Sequence, residues 1–259
     1  MRKGKKIWLI AAGISVIVGM MMVAGALVAA GFDLSTVSFK DSEVTVTEAF
    51  DSIAFDLEVA DITINPSDDK QCRVLFHEWE TQPFTAEVRD RTLHIGSKYK
   101  RSWLDSFSFN FKKPTVTLYL PEKTYQSLTV HSVTGSVRLS EALRIKDVAV
   151  KSVTSDVTCE AAVSDTVTVQ VVTGDVRLHG AAPKTIQLET TTGNVSLDRC
   201  DAQSITVHTV TGNITGTLLT GKTFHASTTT GRVAVPNDAP GGTCELTATT
   251  GNIRMELIK

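Results

Sequence analysis

Asp156 and Asp175 are the residues whose type and spacing first suggest chemistry. They stand nineteen positions apart in the matching phrases TSDV and TGDV. If that interval is one coil of a repeating fold, the two carboxylates lie about 5 Å apart, the separation used by retaining glycosidases. The same column continues as Asn194 and Asn213, and an amide can serve neither as acid nor as nucleophile. The column therefore reads as a turn ladder, and no catalytic residue is assigned.

Other candidates fail on spacing. HEWE at 77–80 lacks the second His of a zinc helix motif. The six histidines (His77, His94, His131, His179, His208, His225) share no column in neighbouring coils; His131 and His208 share one four coils apart. Cys72, Cys159, Cys200 and Cys244 show no CxxC spacing, so neither metal nor cofactor is expected. No Gly-x-Ser-x-Gly elbow or phosphate loop occurs. The sequons at Asn194 and Asn213 fall inside the turn ladder.

One segment stands apart, KYKRSWLDSFSFNFKK at 98–113. Phe107, Phe109 and Phe111 alternate, so one face of a strand there is apolar. Such a strand can pack on the rest of the fold with its basic residues in water. Alternatively Lys98, Tyr99, Lys100, Arg101, Trp103, Phe107, Lys112 and Lys113 form an aromatic-basic surface for an anionic envelope polymer, a membrane or a partner protein.

The elements that position these residues follow from an internal repeat. Taking the Gly of Thr-Gly as zero, the copies fall at Gly135, Ser155, Gly174, Gly193, Gly212, Gly231 and Gly251, always 19 or 20 apart. Thr134, Thr154, Thr173, Thr192, Thr211, Thr230 and Thr250 precede them. Apolar residues recur seven and five positions before zero and two and four after it, as in Ile205, Val207 and Ile214 around Gly212. That alternation marks two short strands per copy, each with one buried face. An antiparallel meander of Gly-Asn and Gly-Asp hairpins would fit the turns. The constant length and the repetition of type at equivalent positions favour stacked parallel coils. The fold expected is all-β, a right-handed parallel β-helix of about seven coils over 128–259. Thr134, Gly135, Gly174, Gly193, Thr211, Gly212, Asn213, Gly231 and Gly251 form its turn ladder.

Before the repeats, residues 44–127 read as an irregular β region capping the solenoid, although IAFDLEVADITI at 53–64 aligns with IQLETTTGNVSL, Ala60 standing for Gly193. In a stack, Cys159 and Cys200 lie two coils apart, beyond disulfide reach, so four unbridged, mostly buried thiols are expected. The array ends near Lys259 without an evident cap, leaving Ile253 and Met255 in a terminal coil where copies could join end to end.

Ile7 to Ala30 are 24 uncharged, almost wholly apolar residues, long enough to span a bilayer. Arg2, Lys3, Lys5 and Lys6 precede them and should stay cytoplasmic. The expected plan is a basic tail (1–6), an anchor (7–30), a linker (31–43) and an extracytoplasmic remainder. Small residues near Ala26 and Ala30 also permit a cleaved signal peptide. Beyond the anchor, 22 basic residues face 28 acidic ones, which argues against a nucleic-acid partner.

With the anchor, the strand TVTLYLP and the T-G-[DN]-[VI] coils together, the chain resembles the bacterial "putative adhesin" family of otherwise undefined function. That resemblance implies a short N-terminal anchor before a β-helical domain, and a non-enzymatic role near envelope-stress regulation. It supplies no catalytic residues. Three functions follow as expectations: an envelope binding or scaffold module, a self-associating bactofilin-like polymer, or a polysaccharide lyase or hydrolase.

Overall fold

The computed structural model describes residues 38–97, 113–237 and 239–258, all of which from Phe39 on belong to one compact unit. The expected anchor at 7–30 and most of the 98–113 segment lie outside the described residues. No helix occurs among those described, and none there is long and apolar enough to cross a membrane.

The chain opens with β1 (Phe39–Val46), followed by β2 (Ser52–Val59) and β3 (Asp61–Pro66) on either side of Ala60. Next come β4 (Cys72–Trp79), β5 (Phe84–Arg89), β6 (Thr92–Ser97) and β7 (Thr115–Leu120). Strand pairs then recur: β8 (Thr124–Thr134) with β9 (Val137–Leu139), and β10 (Arg144–Thr154) with β11 (Val157–Cys159). They continue with β12 (Ala162–Thr173) and β13 (Val176–His179), then β14 (Thr185–Thr192) and β15 (Val195–Cys200). The last are β16 (Ser204–Thr211) and β17 (Ile214–Leu218), β18 (Thr223–Thr230) and β19 (Val233–Ala234), and β20 (Thr243–Thr250) and β21 (Ile253–Leu257).

First members of each pair stack in a ten-stranded sheet and second members in an eleven-stranded one. Pairing is parallel and in the register the repeat requires: Leu128, Val148, Val167, Ile186 and Ile205 lie side by side. So do Val137, Val157, Val176, Val195 and Ile214 in the other sheet. These columns are buried and form one continuous core between the sheets. A solenoid of parallel coils is therefore what the alternation encodes.

The coil count and order differ from expectation. Nine parallel coils are present among the described residues, because β2–β3 and β6–β7 join the array. Ala60 does occupy a corner, its N–H bonded to Thr134 O at 3.0 Å. The genuine cap is only β1, β4 and β5, which pair antiparallel. Asp90 and Arg91 turn β5 into β6 with φ of 49° and 58°, the two left-handed residues of a type I′ hairpin.

At both ends, spatial order departs from chain order. The β6–β7 coil fills the gap between the earlier β2–β3 and β5–β4 layers. The last coil, β20–β21, inserts between β16–β17 and β18–β19. Ile253 and Met255 are thus buried, and the expectation that they lie in the terminal coil is corrected. The outermost coil is 223–234, with Val233 42 % exposed. Its inward residues are Phe224, Ala226 and Thr228, two of them small or polar, whereas β20–β21 brings Cys244, Leu246, Ala248, Ile253 and Met255. Placing the more apolar coil inside and the poorer one at the water-facing end buries more apolar area.

Candidate functional site

The Thr-Gly corners show how the array is held. Gly174, Gly193, Gly212 and Gly251 have φ between 141° and 156°. A Cβ on Gly193 would stand 1.9 Å from the carbonyl oxygen of Gly174 in the adjacent coil. Glycine is needed for both the dihedral and the contact. Ser155 and Ala60 avoid the conflict by turning inward, where both are buried.

The residue after each corner ties the coils together. Asp156 Oδ1 accepts the N–H of Asp175 at 2.8 Å, and Asp175 Oδ1 that of Asn194 at 2.8 Å. Asn194 Oδ1 accepts from Asn213 and Asn213 Oδ1 from Asn252, each at 2.9 Å. Asn252 Oδ1 accepts from Arg232 at 2.9 Å, so the ladder follows the spatial order of coils, not the chain order. Asp61 makes the equivalent bond to Ser136 at 2.7 Å. The Asp156–Asp175 pair is committed to these backbone donors, and Asp175 also pairs with Arg177 at 2.6 Å. Neither carboxylate is arranged as an acid or nucleophile.

Two clusters escaped the sequence reading. Within β15 the register slips between Leu197 and Cys200, and Arg199 adopts φ of 50°. Its N–H donates to Thr217 Oγ1 at 2.8 Å, and its guanidinium reaches His179 Nε2 at 2.5 Å. Since Arg is only a donor, Nε2 accepts, and Nδ1 carries the hydrogen bond to Asp198 Oδ2 at 2.7 Å. The Thr217 hydroxyl, and after it His179, hold the Asp198 carboxyl below the usual carboxylate range. Each polar group is bonded within the cluster, leaving no free nucleophile there.

The second cluster is Lys222, whose side chain is fully buried. Its Nζ donates to Asp201 Oδ1 and Thr220 Oγ1, each at 2.5 Å, and to Gly241 O at 2.7 Å. These partners come from the connections β15–β16, β17–β18 and β19–β20, which Lys222 joins where the last coil inserts. A buried amine with an ionic partner and two further acceptors is a stable clasp. The only sequence signal was a Lys two residues before an apolar column.

All four cysteines are free and buried. Burial pushes the Cys72, Cys159 and Cys244 thiols up to about 12 and that of Cys200 to about 11, so they stay protonated and unreactive. No group of metal-ligating residues occurs among those described. Surface recesses are shallow, from about 270 Å³ beside Asp201 to about 430 Å³ beside Lys123.

Of the expected partner-binding residues, Lys113 is exposed just before β7; Lys98, Tyr99, Lys100, Arg101, Trp103, Phe107 and Lys112 lie outside the described residues. Their attachment points are clear. β6 ends at Ser97 and β7 begins at Thr115, whereas the Thr-Gly coils pass from one strand to the next in two residues. Asp41, His77 and Thr115 lie side by side on β1, β4 and β7, so the segment rejoins the rod about 10 Å from the start of β1.

A family model described as Toastrack DUF4097 matches residues 50–259. Among solved structures, the chain is similar to a putative adhesin from Bacteroides fragilis NCTC 9343. The TM-score is 0.57 at 18% identity, over 85% of this chain and 97% of that one. A putative adhesin from Parabacteroides distasonis ATCC 8503 gives a TM-score of 0.50 at 14% identity, over 86% and 98%. At these identities the likeness carries the fold alone. No curated protein matches the chain.

Proposed function

We propose that this chain, which belongs to the Toastrack DUF4097 family, is a non-catalytic binding or scaffold module of the bacterial cell envelope. In this reading residues 7–30 anchor it, the solenoid is extracytoplasmic, and its task is linked to envelope stress. The observation that carries the reading is that the chain enters β1 and re-enters β7 side by side at one end of the rod. Gly31 to Val37 are seven residues and span at most about 25 Å. The chain re-enters the rod after the aromatic-basic segment, at Lys113 and Thr115, about 10 Å from where that linker enters β1, so the last residues of that segment are tethered within reach of the membrane face. Lys98, Lys100, Arg101, Lys112 and Lys113 then meet an anionic polymer or lipid surface, with Tyr99, Trp103 and Phe107 supplying apolar contact. Commitment of the outer carboxylates to coil-to-coil bonds supports a non-catalytic role.

The test is recovery of envelope components by fragment 32–259, against a variant with those five basic residues changed to Gln. Loss of the recovered material in the variant is expected; equal recovery sinks the reading. End-to-end polymerisation is not favoured, since it would join a charged antiparallel cap bearing Lys40, Asp41 and Glu43 to the 223–234 coil.

A further inference from the structure

The outer face of the ten-stranded sheet differs from the rest of the surface. Among the described residues seven large apolar side chains are exposed, and four of them form one row along this face. Val133, Val153, Val172 and Val210 stand two residues before the corners of β8, β10, β12 and β16, each between 38 % and 48 % exposed, with Thr191 in the same place on the intervening β14. The next outward row reads His131, Lys151, Gln170, Glu189 and His208. Beyond it lie Thr129, Ala149, Thr168, Gln187 and Thr206. In these two rows of β8 to β16 the charged side chains are Lys151 and Glu189, near the centre.

The geometry points to a second copy of this chain as the partner of that face, in a two-fold dimer with the rods antiparallel. An isologous contact must be complementary to itself. A two-fold axis along the strand direction through β12 lays β10 on the partner's β14 and β8 on its β16. Gln170 and Val172 then meet their own equivalents, Val133 meets Val210, Val153 falls opposite Thr191, and Lys151 meets Glu189 twice. The remaining carboxylates of the face, Asp56, Glu58, Asp147 and Glu245, fall opposite Thr247, Thr249, Thr185 and Ala54. Opposite charge thus sits symmetrically about Gln170, and no carboxylate falls directly opposite another. The nine strands from β6 to β18, of about eight residues each, give a face on the order of 1,000 Å² per copy, which reaches the roughly 800 Å² that a stable partner buries.

Sedimentation velocity on residues 38–259, which hold the whole core, tests the dimer across low to high micromolar concentration. A concentration-dependent monomer–dimer equilibrium is expected. Lys151→Glu and Glu189→Lys should each weaken it about tenfold by placing like charges opposite one another. The double variant K151E/E189K should return to near the parent affinity, a rescue that a merely misfolded variant would not give. Val172→Lys should abolish the dimer while leaving the thermal midpoint unchanged, because its side chain is exposed. A parent protein that stays monomeric throughout overturns the proposal. So do a double variant no better than the singles and a dimer that survives Val172→Lys.

Discussion

Between Thr124 and Leu218 each coil lies beside its neighbour in the chain, whereas at both ends of the rod a later coil is slotted inside an earlier one. The middle coils are interchangeable in design: a Gly or inward-turned corner, an Asx or similar bond to the next coil, and four apolar columns. The ends have a different task, because an open solenoid exposes both core and strand edges. At the N-terminal end the chain steps outward to an antiparallel cap and then fills the gap it left. At the C-terminal end it lays down a polar coil first and fills behind it. Repetition stabilises a stack, and order reversal closes it.

The sharpest way to break this contrast is to place a charge in each of the last two coils. Ile253→Asp should cost about 4–5 kcal/mol, since it buries an unpaired carboxylate. Val233→Asp should stay within about 0.5 kcal/mol, as expected at an exposed site. Urea denaturation measures both, and the reverse order of costs would place the two coils in chain order. In the middle, Gly193→Ala should lose about 3–4 kcal/mol through its clash with the Gly174 carbonyl. Gly180 has φ of 64°, and a methyl group placed there would meet nothing within 4 Å, so Gly180→Ala should lose only about 1 kcal/mol. Comparable losses would mean that dihedral strain alone, without close coil contact, sets the corner.

Where the last coil inserts, Lys222→Met should cost about 2–3 kcal/mol by stranding Asp201 and the Gly241 carbonyl. Hydrogen exchange should then rise first in 243–257, and uniform exchange would deny the clasp a local role. The smallest effect is alkaline. The thiols titrate higher folded than unfolded, so their contribution is intact below about pH 8.5 and is lost as pH rises towards 11–12. A melting point unchanged between pH 8 and 10.5 would contradict that burial.

The regular part of this architecture was legible because a two-residue alternation and a constant interval both survive averaging over seven copies. Parallel register, the corner role of Gly193 and Gly212, and the buried free thiols follow from them. Ala60 hinted at a coil before the array, but one copy without Thr-Gly is too weak a signal to recognise β6–β7 as another. The insertion of β20–β21 was not legible, since every coil offers nearly the same ladder to its neighbours. Composition carries the trace: Leu246, Ile253 and Met255 are better core residues than Ala226, Thr228 and Val233. The exposed row Val133, Val153, Val172 and Val210 is itself a fifth apolar column, passed over because alternation had already fixed which face was inside. Arg199 and Lys222 act through tertiary partners eighteen to twenty-one residues away, which no local pattern announces.

Coil order is the central claim, and paired cysteines at Thr206 on β16 test it most directly. Glu245 lies beside Thr206 and His225 lies one strand further out, so Cα separations are about 4.8 Å and 9.6 Å. Only the first lies within disulfide range. Mild oxidation should therefore link the Thr206→Cys/Glu245→Cys pair and leave Thr206→Cys/His225→Cys open, as read by peptide mass under non-reducing conditions. A bridge in the second pair and none in the first would contradict the inserted coil.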